Sequence, residues 1–189
     1  MTGCENGRIG RYIMRRALIG MTLVLVAMSA NAQTIEKNIA KCGNENANVS
    51  ISACTAMLQA KPAMSSERRL AAYYGRGSAY LFAKKDYDRA IADFTNAIAL
   101  KPDTEILSHL HAGIGMAYSH KQLFAESIAS ASKAIELKPD ESIGYRVRGY
   151  AYELSGQRDK AIADYRMALK FDPDAENLKA ALIRLGVTP

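Results

Sequence analysis

Apolar positions recur along most of this chain with the period of an amphipathic α-helix. Ile51, Cys54 and Leu58 stand at i, i+3 and i+7, and Leu178, Leu182 and Leu185 at i, i+4 and i+7. The breaks between these stretches carry helix signals. Ser65 or Ser66 can cap a long helix running through Leu70, Tyr73, Gly77 and Tyr80. Asp86 can cap its partner over residues 87–100. A second pair is predicted over residues 105–121 and 124–137, and a third over 142–155 and 158–171. Gly156 separates the third pair and suits a left-handed helix end. A last helix over about residues 175–185 stops at Gly186. The chain is predicted to be all-α.

The same residues return at corresponding places. Gly77, Ala79, Tyr80, Ala90, Ile91, Phe94, Ala97 and Pro102 are echoed by Gly115, Ala117, Tyr118, Ile128, Ala134 and Pro139. They return as Gly149, Ala151, Tyr152, Ala161, Ile162, Tyr165, Ala168 and Pro173. The closing prolines Pro62, Pro102, Pro139 and Pro173 are 40, 37 and 34 residues apart. A period of this length is the mark of a stacked-repeat architecture. Helices of about 13 to 15 residues are marginal alone in water, and a hairpin of two cannot bury its apolar face without neighbours.

The pattern resembles the tetratricopeptide repeat (TPR), a 34-residue helix–turn–helix. Residues 142–175 fit best: Tyr145, Gly149, Tyr152, Ala161, Tyr165, Ala168 and Pro173 fall on the family's aromatic, glycine, tyrosine, alanine, aromatic, alanine and proline positions. The resemblance covers about residues 66–175 and, more weakly, 48–62. It implies a right-handed superhelical stack of helix–turn–helix hairpins with a C-terminal capping helix. The expected divisions are a degenerate first hairpin (33–65), three repeats (66–104, 105–141 and 142–175), and a capping helix with its tail (176–189).

Two repeats depart from the pattern. Between Gly77 and Ala90 there is one residue more than between Gly149 and Ala161, placed around Phe82, Ala83, Lys84 and Lys85. A longer first helix or an irregular turn is expected there. In the middle repeat Ser127 and Ala131 take the small and aromatic positions, so that hairpin is expected to be the least tightly packed. Each of Asp103, Asp140 and Asp174 follows a closing proline and can cap the next helix.

The N-terminus has a different character. A basic, polar stretch is followed by 13 apolar residues (17–29) and then Ala30-Asn31-Ala32. Basic, apolar and small-residue segments in that order read as a secretory signal peptide over residues 1–32, cut between Ala32 and Gln33. The alternative is an uncleaved N-terminal anchor, although the apolar run is short of the roughly 20 residues a membrane span needs. Met14 is an alternative start. The general secretion route fits better than the twin-arginine one, and no cysteine stands at the cut for lipid attachment. The implied location is the bacterial periplasm or beyond, with no stable membrane anchor after cleavage.

In the degenerate hairpin, Cys42 and Cys54 fall on two facing helices. An oxidising compartment lets disulfides persist, so a Cys42–Cys54 bond is expected; two buried free thiols are the alternative. Cys4 precedes the cut.

Net charge is +6, but residues 1–32 hold half of it, with Arg8, Arg11, Arg15 and Arg16 against Glu5. The remaining basic residues alternate with acids, unlike the dense stripe that nucleic acid requires. Gly75-Arg76-Gly77 and Gly113-Ile114-Gly115 follow no strand and lack a third glycine, so they read as packing glycines rather than phosphate loops. His109, His111 and His120 are too dispersed to share a metal ion. Asp86, Asp88, Asp93, Asp159 and Asp164 are expected at helix starts or on solvated faces. No nucleophile or acid–base constellation is recognisable, so an enzyme is disfavoured and no cofactor is implied.

The resemblance implies a concave surface lined by the first helices of successive repeats. Carried over, the lining is Tyr74, Ser78, Leu81 and Phe82, then His109, Ala112, Met116 and His120, then Ile143, Arg146, Tyr150 and Glu153. This mixture suits an extended peptide or a partner helix. The chaperone-type clamp for a C-terminal carboxylate uses lysines and asparagines where this chain has Tyr74, Ser78 and Gly113, which disfavours that ligand; Arg146 could still pair one acidic group. The implied function is a non-catalytic adaptor for a protein or peptide partner. A small-molecule or glycan module using the same groove is the alternative.

Overall fold

The computed structural model describes residue 34 and residues 37–60 and 64–188. The signal segment and Cys4 lie outside the described residues. Among the described residues the regular structure is entirely helical. Residues 37–41 are helical, followed by α1 (Ala47–Gln59), α2 (Ser66–Ser78), a π-helical turn (Ala79–Lys84) and α3 (Tyr87–Ile98). Then come α4 (Thr104–His120), α5 (Phe124–Leu137), α6 (Ser142–Leu154), α7 (Arg158–Phe171) and α8 (Glu176–Arg184).

Helix starts follow local hydrogen-bonding chemistry in part. Ser65, Asp86 and Asp103 accept hydrogen bonds from the backbone N–H groups of Arg68, Arg89 and Ile106. Asn46 does the same for α1. Asp140 and Asp174 do not cap: α6 and α8 start from Glu141 and Ala175, without a side-chain capping bond.

The turn inside each repeat has a common closure. The carbonyls of Tyr118 and Tyr152 accept the N–H of the fifth residue on, Leu123 and Gln157, at 3.0 and 2.8 Å. Gln122 and Gly156 supply the left-handed residue, at φ 60° and 76°. In the first full repeat Tyr80 accepts instead from the sixth residue on, Asp86, at 3.0 Å, with Lys85 left-handed. The extra residue is thus absorbed as a π-helical turn at the predicted place, and the second helix keeps its register.

The core runs along the stack as successive apolar clusters. Cys54, Met57 and Ala72 form the first, where Cys42 and Cys54 are bonded. Tyr80, Leu81, Phe94, Leu110 and Ile114 form the next, followed by Ala112, Ala131, Ala134 and Val147. Tyr165, Leu178 and Leu182 close the far end. The aromatic–glycine pairing of the repeat is explicit. A Cβ on Gly149 would sit 2.9 Å from the Tyr165 ring, and one on Gly77 2.9 Å from Phe94.

The middle hairpin is not loose. Small residues let its helices meet backbone to backbone: a Cβ on Gly115 would lie 3.2 Å from Ser127 O and 3.3 Å from Ala131 N. Ser127 donates to the Gly115 carbonyl at 2.8 Å and bonds Ser119 at 2.7 Å, all fully buried. Close approach replaces the missing aromatic ring.

Asp93 and Asp164 are not solvated. They are 3% and 7% exposed and are gripped by Arg76 and Arg148. Each arginine also reaches the preceding hairpin, at Thr55 and Ser132. Ile114 occupies the arginine position in the middle repeat.

Candidate functional site

The first helices α2, α4 and α6 each present one face to a run of clefts. Between α2 and α4 lies a cleft of about 280 Å³ that includes Tyr74 and His109. Its floor is Leu70, Ala71 and Ile106, with Glu67 and Glu105 beside them. A second cleft of about 290 Å³ gathers Met116 and His120 from α4 with Arg146 and Tyr150 from α6. Tyr165 of α7 and Leu178, Ala181 and Arg184 of α8 complete it. A third, of about 350 Å³, sets Tyr74, Ser78 and Phe82 against the loop after Cys42. Phe82, on the π-helical turn, is 69% exposed.

Most of the predicted lining residues therefore reach a cleft. Leu81 does not: it is 3% exposed and packs in the core with Phe94 and Ile114. An apolar side chain gains roughly 1.5–3 kcal/mol from such burial, which decides its side. Ala112 is likewise buried, and Ile143 packs against the cluster around Val147. Glu153 is engaged internally. It accepts from the Tyr165 hydroxyl at 2.7 Å and from Arg184 at 2.7 and 3.0 Å, fastening α8 to α6 and α7.

Aromatic contacts organise the second cleft. The His120 ring stacks on Tyr87 at 5.1 Å and meets the Tyr150 ring edge-on at 5.7 Å. Burial, followed by the nearby Lys85, pushes its pKa below the ordinary histidine value, which favours the neutral ring. His111 is lowered similarly by burial and Lys133. The Arg184 and Tyr165 bonds to Glu153 hold its carboxyl below the usual range, although burial acts the other way. Burial drives the Tyr165 hydroxyl well above its usual value, assisted by Glu153.

His109 Nδ1 lies 3.0 Å from the Glu105 carbonyl, which can only accept, so Nδ1 carries the proton. Among the described residues no three His, Cys, Asp or Glu side chains gather as metal ligands. None of the described helices is long and apolar enough to cross a membrane.

Glu67, Leu70, Ala71, Glu105 and Ile106 join the lining although they stand outside the positions expected from the resemblance. Leu70 and Glu67 precede Tyr74 by four and seven residues, so helical periodicity alone placed them on its face. No comparable signal marks the α8 residues, which join the second cleft through long-range packing.

Tetratricopeptide repeat models match residues 70–104, 108–141 and 142–175, more than half of the chain. The chain belongs to the tetratricopeptide repeat family. It is 35% identical over 101 residues to the Hsp70-Hsp90 organizing protein of Triticum aestivum, covering 53% of this chain and 17% of that protein. It is 34% identical over 99 residues to Hsc70-interacting protein 1 of Drosophila melanogaster, covering 52% and 26%. The chain thus spans about a quarter or less of the length of these curated relatives. The second TPR domain of human RPAP3, solved in complex with an HSP70 peptide, superposes with a TM-score of 0.56. Its identity is 25%, and the match covers 66% of this chain and all of that domain. A MamA structure superposes with a TM-score of 0.64 at 16% identity, covering 82% of this chain and 83% of that one, a likeness of the superhelical TPR fold alone.

Proposed function

We propose that this TPR protein is a non-catalytic adaptor that holds an extended protein segment, or a partner helix, along α2, α4 and α6. The observation that carries the reading is the meeting of Met116, His120, Arg146 and Tyr150 in one cleft. Aromatic and Met surface beside an arginine is the composition of binding hot spots. The RPAP3 likeness adds a neighbour whose own structure holds a peptide. Tyr74, Ser78 and Gly113 stand where a carboxylate clamp would need lysine and asparagine, so a peptide like the HSP70 peptide of the RPAP3 structure is not the expected ligand.

The adaptor is placed, in this proposal, in the bacterial envelope, released by cleavage between Ala32 and Gln33. The N-terminal residue pattern supports export, and the Cys42–Cys54 bond suits an oxidising compartment. The reading includes no cofactor, no nucleic acid and no anchor after cleavage.

The test is selection of binders from a displayed random-peptide library, with affinities measured by fluorescence anisotropy. The protein should select peptides, and a Tyr74→Ala, Met116→Ala, Tyr150→Ala variant that keeps its helical circular dichroism should lose at least tenfold in affinity. Equal affinity for both proteins would move the site off this face. A small-molecule or glycan ligand is the second reading, favoured by the nearness of His120, Asn177 and Arg146 over an apolar floor. Failure to select any peptide, with a co-purifying small molecule in the native mass spectrum, would replace the first reading with it.

A further inference from the structure

The clefts of the groove are opposite in charge. Glu67 and Glu105, in the first turns of α2 and α4, flank the apolar floor of the cleft between them. Both are exposed, and neither forms an ion pair or a side-chain hydrogen bond with another described residue. Lys138 is close enough to feel Glu105, but its ammonium is held by Glu141 at 3.3 Å. Tyr74 offers a ring 40% exposed at the same cleft. In the second cleft Arg146 has no ion-pair partner among the described residues, while Arg184 is committed to Glu153.

An apolar floor beside two unpaired carboxylates and an aromatic ring matches one kind of side chain. Arginine and lysine carry a long aliphatic stem below a cation. The stem would cover Leu70 and Ile106, while the cation meets Glu67 and Glu105 and the Tyr74 face. A wholly apolar side chain would leave both carboxylates to water and gain nothing from them.

Building on the reading of the groove as a site for an extended segment, we propose that the α2–α4 cleft takes a partner's arginine or lysine side chain. Arg146 then takes an acidic residue of the same segment. The spacing follows from α4, which serves both clefts. Ile106 and Met116 are ten residues apart, and His109 and His120 eleven. At about 1.5 Å per residue this is roughly 16 Å along the helix. An extended strand covers that distance in about five residues. The groove is therefore selective for a base and an acid about five positions apart.

The test uses random decapeptides selected on the purified protein and on a Glu67→Gln, Glu105→Gln variant. The strongest binder is then resynthesised with its base replaced by citrulline or norleucine. Enrichment of arginine or lysine at one position, with an acid about five residues away, is expected on the unaltered protein. On the variant the preference for the base should vanish and the acid should remain. The charged peptide should bind the unaltered protein about tenfold better than its neutral analogue, a ratio that falls to near one on the variant and shrinks with added salt. That ratio is insensitive to any small loss of stability from the two helix-start glutamates. Selected peptides without a basic position, lost on Tyr150→Ala, would overturn this inference and leave the groove reading standing. Absence of any selected peptide would overturn both. Preference for a base retained on the glutamine variant would assign the cation to another site.

Discussion

Arg148 grips Asp164 through two parallel hydrogen bonds, Nε to Oδ2 at 2.8 Å and Nη2 to Oδ1 at 2.9 Å, across α6 and α7. Its remaining arm reaches Ser132 of α5 at 3.2 Å, so one guanidinium ties three helices of two successive repeats. Arg76, Asp93 and Thr55 repeat the arrangement one end along. Planar, bidentate geometry is what distinguishes arginine from lysine here.

Removing one partner should therefore cost more than removing both. Asp164→Leu leaves a part-buried guanidinium unpaired and should destabilise by about 2–3 kcal/mol. Arg148→Met with Asp164→Leu should lose less than Asp164→Leu alone. Urea unfolding of the four proteins as a double-mutant cycle measures this, and strict additivity would show that the pair is uncoupled.

Gly149→Ala should also destabilise, by about 1–2 kcal/mol net, although alanine is the better helix former. The added methyl would meet the Tyr165 ring at 2.9 Å. That ring cannot swing freely, because its hydroxyl is bonded to Glu153 at 2.7 Å. A neutral or raised melting temperature would mean that the ring gives way.

Reduction should weaken the N-terminal end selectively. The Cys42–Cys54 bridge spans a sequence separation of 12 residues and packs against Gly75, Met57 and Ala72. Loops of this length contribute roughly 2–3 kcal/mol in the chain-entropy view. The oxidised protein should show no titratable thiol between these two residues, and Cys42→Ser with Cys54→Ser should lower stability by about that amount. Hydrogen exchange should locate the loss in α1 and in the stretch of α2 around Ala72 and Gly75.

Acidification should destabilise the fold as pH drops through the histidine range. His111 and His120 have folded-state pKa values below the ordinary 6.5, chiefly through burial. Well above 6.5 both states are neutral and nothing changes. Below it the unfolded chain binds protons that the folded one refuses, so stability falls until the lowered folded values are reached. Glu153, held below its ordinary 4.5, adds a further loss only in more acidic solution. Urea midpoints at about pH 7.5 and 5.5 check this. In His111→Asn, His120→Asn protein the difference should shrink; an unchanged difference would place the sensitivity elsewhere.

Much of this molecule follows from local rules. The 34-residue register, the glycines beneath Tyr165 and Phe94, the turn at Gly156 and the site of the extra residue are short-range consequences of helical period and side-chain size. They are legible because each hairpin repeats the same contacts with its neighbour. What the sequence left open arose where two options were locally equivalent. Asp93 and Asp88 are both acids on α3, yet only Asp93 meets an arginine across the hairpin and is buried. Ser127 and Ala131 read as weak packing, but in three dimensions small residues bring the backbones together.

The helices, their pairing and the faces that meet were legible in the residue pattern, because they depend on helical periodicity and on contacts that each repeat copies from the last. Tertiary structure alone decided which exposed-looking residues serve the groove. Leu81 turned inward because burial favours it, and Glu153 was taken by Arg184, 31 residues on. The α8 helix joined the second cleft only because Leu178 and Leu182 had an open end of the stack to cover. Long-range competition for burial and for charge partners, rather than local propensity, made those choices.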